Sequence, residues 1–299
     1  MWYDGEYKCI NAWRKVRQLS KPEKDLRWFW DPVEASGLHD LLCTGYSSVT
    51  HAMVRALCER WHTETSSFHL PVGEMTINLD DVYNLLYLPI QGRMLDHDAV
   101  VDRDHEITLM TRLLAMSDRL EHPQLREEML ERDMRRSWCV RIFLLYLVGS
   151  ALFTNKTNRH INLIYLDCMA DLHAIGKWSW GGMTLAYLYG YLDDYVRLNN
   201  KMMADCVTLL MKWILEHLLG PYSRNKNLKW KPDRPCAGRW LTSRGHKVVH
   251  HYRLLLDRLE VDDVRWSTYD NHRDTSFSAY CHLLGMTYVR EGEGVPSFT

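Results

Sequence analysis

Closely spaced cysteines are absent. The eight present, Cys9, Cys43, Cys58, Cys139, Cys168, Cys206, Cys236 and Cys281, are never nearer than fifteen positions, so neither C-x-x-C nor a Cys/His cluster of zinc spacing occurs. Several fall in apolar helical stretches. The expectation is reduced, buried thiols of a cytosolic or nuclear chain, with no bound metal. An excess of one charge is also lacking: 37 Lys and Arg oppose 38 Asp and Glu, a net charge of −1. No global field draws the chain to nucleic acid, and only a local patch could do so. The longest apolar run, Ile142 to Phe153, falls well short of the roughly 20 residues that cross a bilayer. Met1 to Glu6 is neither basic nor followed by an apolar stretch, so neither a signal peptide nor a membrane anchor is expected. The P-loop, G-x-G-x-x-G, G-x-S-x-G and H-E-x-x-H signatures are missing.

Large side chains, by contrast, are plentiful. Twelve Trp stand beside only 16 Gly and 9 Pro, with 46% apolar and 25% charged residues. That balance excludes wholesale disorder and suits helices packed through bulky residues. Val49, Met53, Ala56, Leu57 and Trp61 recur on one helical face, with Ser47 or Ser48 as N-cap. The period then changes. Ser67 to Leu70, a Pro71-Val72-Gly73 turn and the alternating Glu74 to Ile77 predict a β-hairpin. Asn78 caps a helix through Leu86, with Asp80 and Asp81 in its first turn, and Pro89 stops it. Further helices are expected near 107–116, 124–134, 136–153, 161–174, 181–198, 202–219 and 246–259, with a short element near 277–285. The third carries a stripe of Trp138, Ile142, Leu145, Val148 and Leu152. Residues 93–106 and 221–245 read as polar connections. The fold class is therefore mainly α: a single helical domain with a small β-hairpin, about residues 66–77, leading into a helix. Residues 1–36 form an aromatic arm laid on the core, 37–290 the domain, and 291–299 a frayed tail.

Three constellations could carry chemistry. Asp96, His97, Asp98, Asp102, Asp104, His105 and Glu106 offer oxygen and imidazole ligands, but no Gly supplies the sharp turn of a calcium loop, and a solvated connection is the better reading. His246 and His250 have i, i+4 spacing beside His251, without a third ligand fixed by sequence. The basic segment 224–247 contains Arg224, Lys226, Lys229, Lys231, Arg234, Arg239, Arg244 and Lys247 against the single acid Asp233, with Trp230 and Trp240 interleaved. It reads either as a loop whose Trp pack back on the core or as a nucleic-acid contact.

The stretch Phe68-His69-Leu70-Pro71-Val72-Gly73-Glu74-Met75-Thr76-Ile77-Asn78-Leu79-Asp80-Asp81-Val82, followed by Leu88-Pro89-Ile90-Gln91-Gly92, resembles the plant mobile domain family, also catalogued as "aminotransferase-like". Leu57-Cys58-Glu59-Arg60-Trp61, Trp178-Ser179-Trp180-Gly181-Gly182, Tyr252-Arg253 with Leu256-Asp257, and Val264-Arg265-Trp266 resemble further family blocks in the same order. Tyr87 departs from the pattern, standing where the family usually has Gly, and Thr268 replaces a Pro. The aminotransferase label fits poorly, since the chain shows neither βα alternation nor a phosphate-binding loop for pyridoxal. The resemblance implies no enzyme activity and no cofactor. It implies a nuclear interaction module for transposon silencing, transcription regulation, genome integrity and meristem maintenance. Its implied partners are nuclear proteins, among them a plant serine/threonine phosphatase of the type-7 group. Direct nucleic-acid binding by 224–247 is the alternative. Glu74, an acid at a turn where packing requires none, is expected to make a structural hydrogen bond or ion pair, or a partner contact.

Overall fold

The computed structural model describes residues 21–44, 50–95, 103–114, 127–154, 161–197, 207–219, 224–242 and 245–269, together with 8–9, 16, 19, 202–203 and 272. The chain divides into two units, 1–266 and 267–299, and everything below concerns the first. The elements run β1 (Lys8–Cys9), α1 (Arg27–Ala35), α2 (His51–Cys58), β2 (Trp61–His62), β3 (Ser67–Leu70), β4 (Gly73–Met75), α3 (Leu79–Leu86), α4 (Arg103–Leu114) and α5 (Glu127–Ala151). Then follow α6 (Tyr165–Cys168), α7 (Trp180–Arg197), β5 (Met202–Met203), α8 (Val207–His217), β6 (Arg224–Lys226), β7 (Trp240–Thr242) and α9 (Val249–Leu256). The fold is mainly α, with a small antiparallel sheet ordered β2-β3-β4 and the pairs β1-β5 and β6-β7.

Helix α8 organises the core. Each of its residues from Val207 to His217 is buried, as expected of a helix enclosed on all sides. The sheet lays one face against it. Trp61 pairs with Phe68 and Phe68 with Met75, and Phe68 lies 5.7 Å from Trp213. Helix α1 buries Phe29 and Val33, and Phe29 meets Phe143 of α5 edge-on at 5.0 Å.

Several expectations change. The helix expected from Val49 through Trp61 ends at Cys58, and Trp61 is a strand residue. A Trp at the right helical spacing is also a good strand residue, and its indole is claimed by Asp193 at 2.8 Å. Thr50 occupies the N-cap position, while Ser47 and Ser48 lie outside the described residues. The helices expected at 124–134 and 136–153 are one continuous helix, α5, because Arg135 is well tolerated in a helix interior. The stripe read from sequence is buried at Leu145, Val148 and Leu152 but not at Trp138 and Ile142. Ile142 is 50% exposed, and Val140, Phe143, Leu144, Leu147 and Val148 turn inward. The 161–174 pattern reduces to the single turn α6. Residues 202–203 form a strand beside β1, so α8 begins only at Val207. The expected connection 221–245 contains the β6-β7 ribbon, and the 93–106 connection gives way to α4 at Arg103. Residues 96–102, 277–285 and 291–299 lie outside the described residues.

Candidate interaction surface and the buried polar links beneath it

The blocks quoted from the sequence meet in pairs. Glu59 receives both the Nε and the Nη2 of Arg253, at 2.6 and 2.7 Å, and Arg55 at 3.1 Å. Arg60 in turn donates to Asp257 and to the carbonyls of Ala56 and Arg253. The Glu-Arg of the first block is thus cross-bonded to the Arg and Asp of a block near the C-terminus, the forked geometry that makes such pairs strong. The Leu88-Pro89-Ile90-Gln91-Gly92 block joins the Trp178 block through its backbone: Gly181 donates to Pro89 (2.8 Å), Arg93 to Lys177 (2.9 Å) and Ser179 to Arg93 (2.8 Å). Gly92 has φ +114 and lies so close that a Cβ would overlap the Lys177 carbonyl.

Asp81 ties two more blocks together. It completes a capping box with Asn78, its side chain accepting from the Asn78 amide at 2.9 Å while its own amide donates to Asn78 Oδ1 at 2.9 Å. The other carboxylate oxygen meets His217 Nε2 at 2.8 Å. His217 Nδ1 faces the Arg265 carbonyl at 3.1 Å, and its ring stacks on Trp213. Both ring nitrogens therefore face oxygen atoms.

His217 is one of three ionisable residues, with Lys212 and Glu216, set in the apolar run of α8. Buried polar groups need partners, and for Lys212 and Glu216 the basic segment supplies them. Glu216 accepts from Arg239 Nη1 at 3.1 Å and from the Trp240 indole at 2.7 Å. Lys212 reaches the Trp240 carbonyl at 3.4 Å. Arg239 also lies over the Trp230 ring, 4.8 Å from its centroid, and the Trp230 indole donates to Pro235 at 2.9 Å. Burial pushes the Cys236 thiol up to about 12, only partly countered by Arg239, so it stays a neutral, weak acceptor for Arg239 at 3.0 Å. Nothing in the sequence reading singled out Lys212, Glu216 or His217. The available signal was three ionisable residues in a helical run otherwise made of apolar residues and one Thr.

Burial lowers the Lys212 ammonium from 10.5 to about 8, with Glu216 pulling the other way. Between these values the unfolded chain holds more proton than the folded one, so this group makes stability rise with pH across about 8 to 10.5. Below 8 the charged amine costs about 3 kcal/mol. Lys212→Met should therefore stabilise the protein at pH 7 by about 2 kcal/mol in urea unfolding, with the margin closing towards pH 10.5. A loss of stability at pH 7 would show that the ammonium's bond to Trp240 outweighs its burial.

The residues singled out from the sequence fall into two sets. Phe68, Val82, Trp180 and Gly181 are buried, and Leu79, Pro89 and Trp178 are half-buried. Thr76 donates to Ser66 at 2.7 Å and lies 2.7 Å from the Tyr189 hydroxyl. Pro71, Gly73, Glu74, Gly92 and Trp266 are exposed. Glu74 accepts from Ser67 at 2.9 Å and faces His69 at 3.3 Å, on the outer face of the sheet where His62 and His69 stack at 3.5 Å. Within the basic segment, Arg224 lies in β6, Trp230 and Arg239 are committed to internal contacts, and Lys226, Lys229, Lys231 and Arg234 are exposed. Arg234 also touches the Cys43 sulfur. The segment packs against α3, where Tyr87 reaches the Pro232 carbonyl at 3.5 Å. Of the metal candidates, His105 pairs with Asp167 at 3.0 Å, and His246 stacks on His251 rather than aligning with His250. Among the described residues no group of three ligands is placed to hold a metal ion, and no helix is long and apolar enough to cross a membrane.

These interlocked blocks define a helical scaffold, and comparison with known proteins gives its family. The plant mobile domain model matches residues 37–290; the chain belongs to that family. It is 29% identical over 257 residues to Protein MAINTENANCE OF MERISTEMS of Arabidopsis thaliana, covering 81% of this chain and 53% of that protein. It is 31% identical over 294 residues to Protein MAIN-LIKE 2 of the same plant, covering 89% and 42%. A serine/threonine-protein phosphatase 7 long form homolog, also from Arabidopsis, is 28% identical over 274 residues, covering 81% and 20%. The chain thus spans about half, or less, of the length of these relatives. No solved structure matches it.

Proposed function

We propose that this domain is a non-enzymatic interaction module that works in the nucleus through protein partners. Its role would be of the kind the name MAINTENANCE OF MERISTEMS describes, extending to transposon silencing, control of gene expression and genome integrity. The observation that carries the reading is the commitment of the ionisable residues in the shared blocks. Glu59, Arg60, Asp81, Arg253 and Asp257 are bonded to one another or to α8 and the backbone, which is the work of a scaffold. Likeness to a phosphatase 7 long form homolog makes a phosphatase of that type the first partner to seek. Purification of the tagged protein from plant nuclei, with nuclease and at moderate salt, should yield a stoichiometric protein companion identifiable by mass spectrometry. A bare protein, or companions all lost with nuclease, would overturn the reading.

The exposed Lys226, Lys229, Lys231 and Arg234 favour direct nucleic-acid binding as the second reading. Under it, charge reversal at Lys229 and Lys231 weakens binding to all sequences alike.

A further inference from the structure

We infer that the loop joining β6 to β7 is a preformed docking knob for an acidic protein surface containing an apolar pocket, a specific form of the interaction-module reading on which it rests. Leu228 is 93% exposed, the most exposed large apolar side chain among the described residues. Single exposed leucines are ordinary on protein surfaces, so the case rests on what holds and surrounds this one.

The loop is rigidly held. Asn227 accepts from the Lys229 amide at 3.1 Å and donates to the Gly238 carbonyl at 2.9 Å, and its own amide donates to Arg239. Trp230 donates to Asn227 and Pro235 beneath the Arg239 guanidinium. Arg239 and Trp240 are then bolted to the buried Glu216. An apolar tip fixed in this way loses little freedom on binding.

The charge around the tip selects the occupant. Lys226, Lys229 and Lys231 are exposed and in no ion pair with the described residues, and Arg234 extends the collar; Asp233 is the one acid within the loop. Leu241, 48% exposed on the outer face of β7, adds a second aliphatic group on the same ribbon. A nucleic acid would use aromatic faces for its bases, yet Trp230 is capped by Arg239 and Trp240 points into the core to Glu216. What remains outside is aliphatic carbon flanked along the loop by exposed lysines, which complements an apolar pocket rimmed by carboxylates.

The test uses the full chain in plant nuclei, with residue 228 replaced by an aliphatic diazirine amino acid and, in parallel, with Leu228→Asp and with Lys229→Glu/Lys231→Glu. Expected are photo-crosslinks from position 228 to one protein, at a segment combining apolar residues with Asp or Glu. Recovery of that protein should fall about tenfold or more with either set of substitutions, with thermal unfolding unchanged. Crosslinks to nucleic acid or lipid would overturn the proposal. So would a stoichiometric companion recovered undiminished with Leu228→Asp, which leaves the interaction-module reading intact. Loss of every companion from the unsubstituted protein would sink both.

Discussion

Asp81→Ala should lower the stability of the domain by about 2–4 kcal/mol, the cost of leaving a buried hydrogen-bonding partner unmatched together with a lost cap. Two losses combine. The Asn78 amide loses its acceptor, undoing half of the capping box at α3, and caps contribute about 1 kcal/mol. His217, buried between Asp81, Trp213 and the Arg265 carbonyl, loses the carboxylate at 2.8 Å. In a domain of this size each kcal/mol shifts the melting temperature by roughly 2–4 °C, so a fall near 10 °C is expected. A double-mutant cycle isolates the contact. His217→Ala alone is destabilising, and the pair should cost at least about 1 kcal/mol less than the sum of the single changes. Additive losses would show that Asp81 acts only as a helix cap.

Gly92→Ala should be nearly as damaging, and Gly73→Ala much less so, although both glycines have positive φ, +114 and +121. A Cβ at Gly73 meets nothing within 4 Å, so only the backbone penalty of about 1–2 kcal/mol applies. At Gly92 the methyl would overlap the Lys177 carbonyl and sit 2.8 Å from its carbon. That carbonyl accepts from Arg93, so relief means pulling apart the link between the two blocks. An additional loss of about 2 kcal/mol or more is expected, in the range of overpacking against an unyielding neighbour. Denaturant midpoints of the two variants, measured side by side, decide it. Equal losses would mean that the Gly92 loop shifts freely away from Lys177.

The sequence revealed what depends on neighbouring residues. Gly73 at a turn, Asn78 and Asp81 at a helix start and Pro89 beyond its end act over a few positions, and the hairpin and α3 lie where their chemistry placed them. Tyr87 is instructive. Noticed as an outsider where the family usually has Gly, it holds φ 57 and ψ 32, the left-handed C-cap of α3, a conformation glycine adopts without strain. Illegible were the features set by distant partners. The β6-β7 ribbon takes its place from Glu216 on α8, so residues 221–245 read as a connection. Likewise the stripe read along α5 is right at Leu145, Val148 and Leu152 and wrong at Ile142, where Phe29 and the rest of the core select Phe143 instead. Lys212, Glu216 and His217 take their roles from Arg239, Trp240 and Asp81, which lie far from them in the chain.

The crossed pairing of Glu59-Arg60 with Arg253 and Asp257 also has a consequence for biosynthesis. Glu59 and Arg253 are 194 positions apart. At translation speeds of about 5–20 residues per second, the first partner waits roughly 10–40 seconds for the second to be made. Trp61 and Phe68 meet Asp193 and Trp213 earlier in synthesis, so the clasp on Glu59 is the later contact. Completion of this clasp is necessarily late, and a stop codon before Arg253 would leave Glu59 and Arg60 without it.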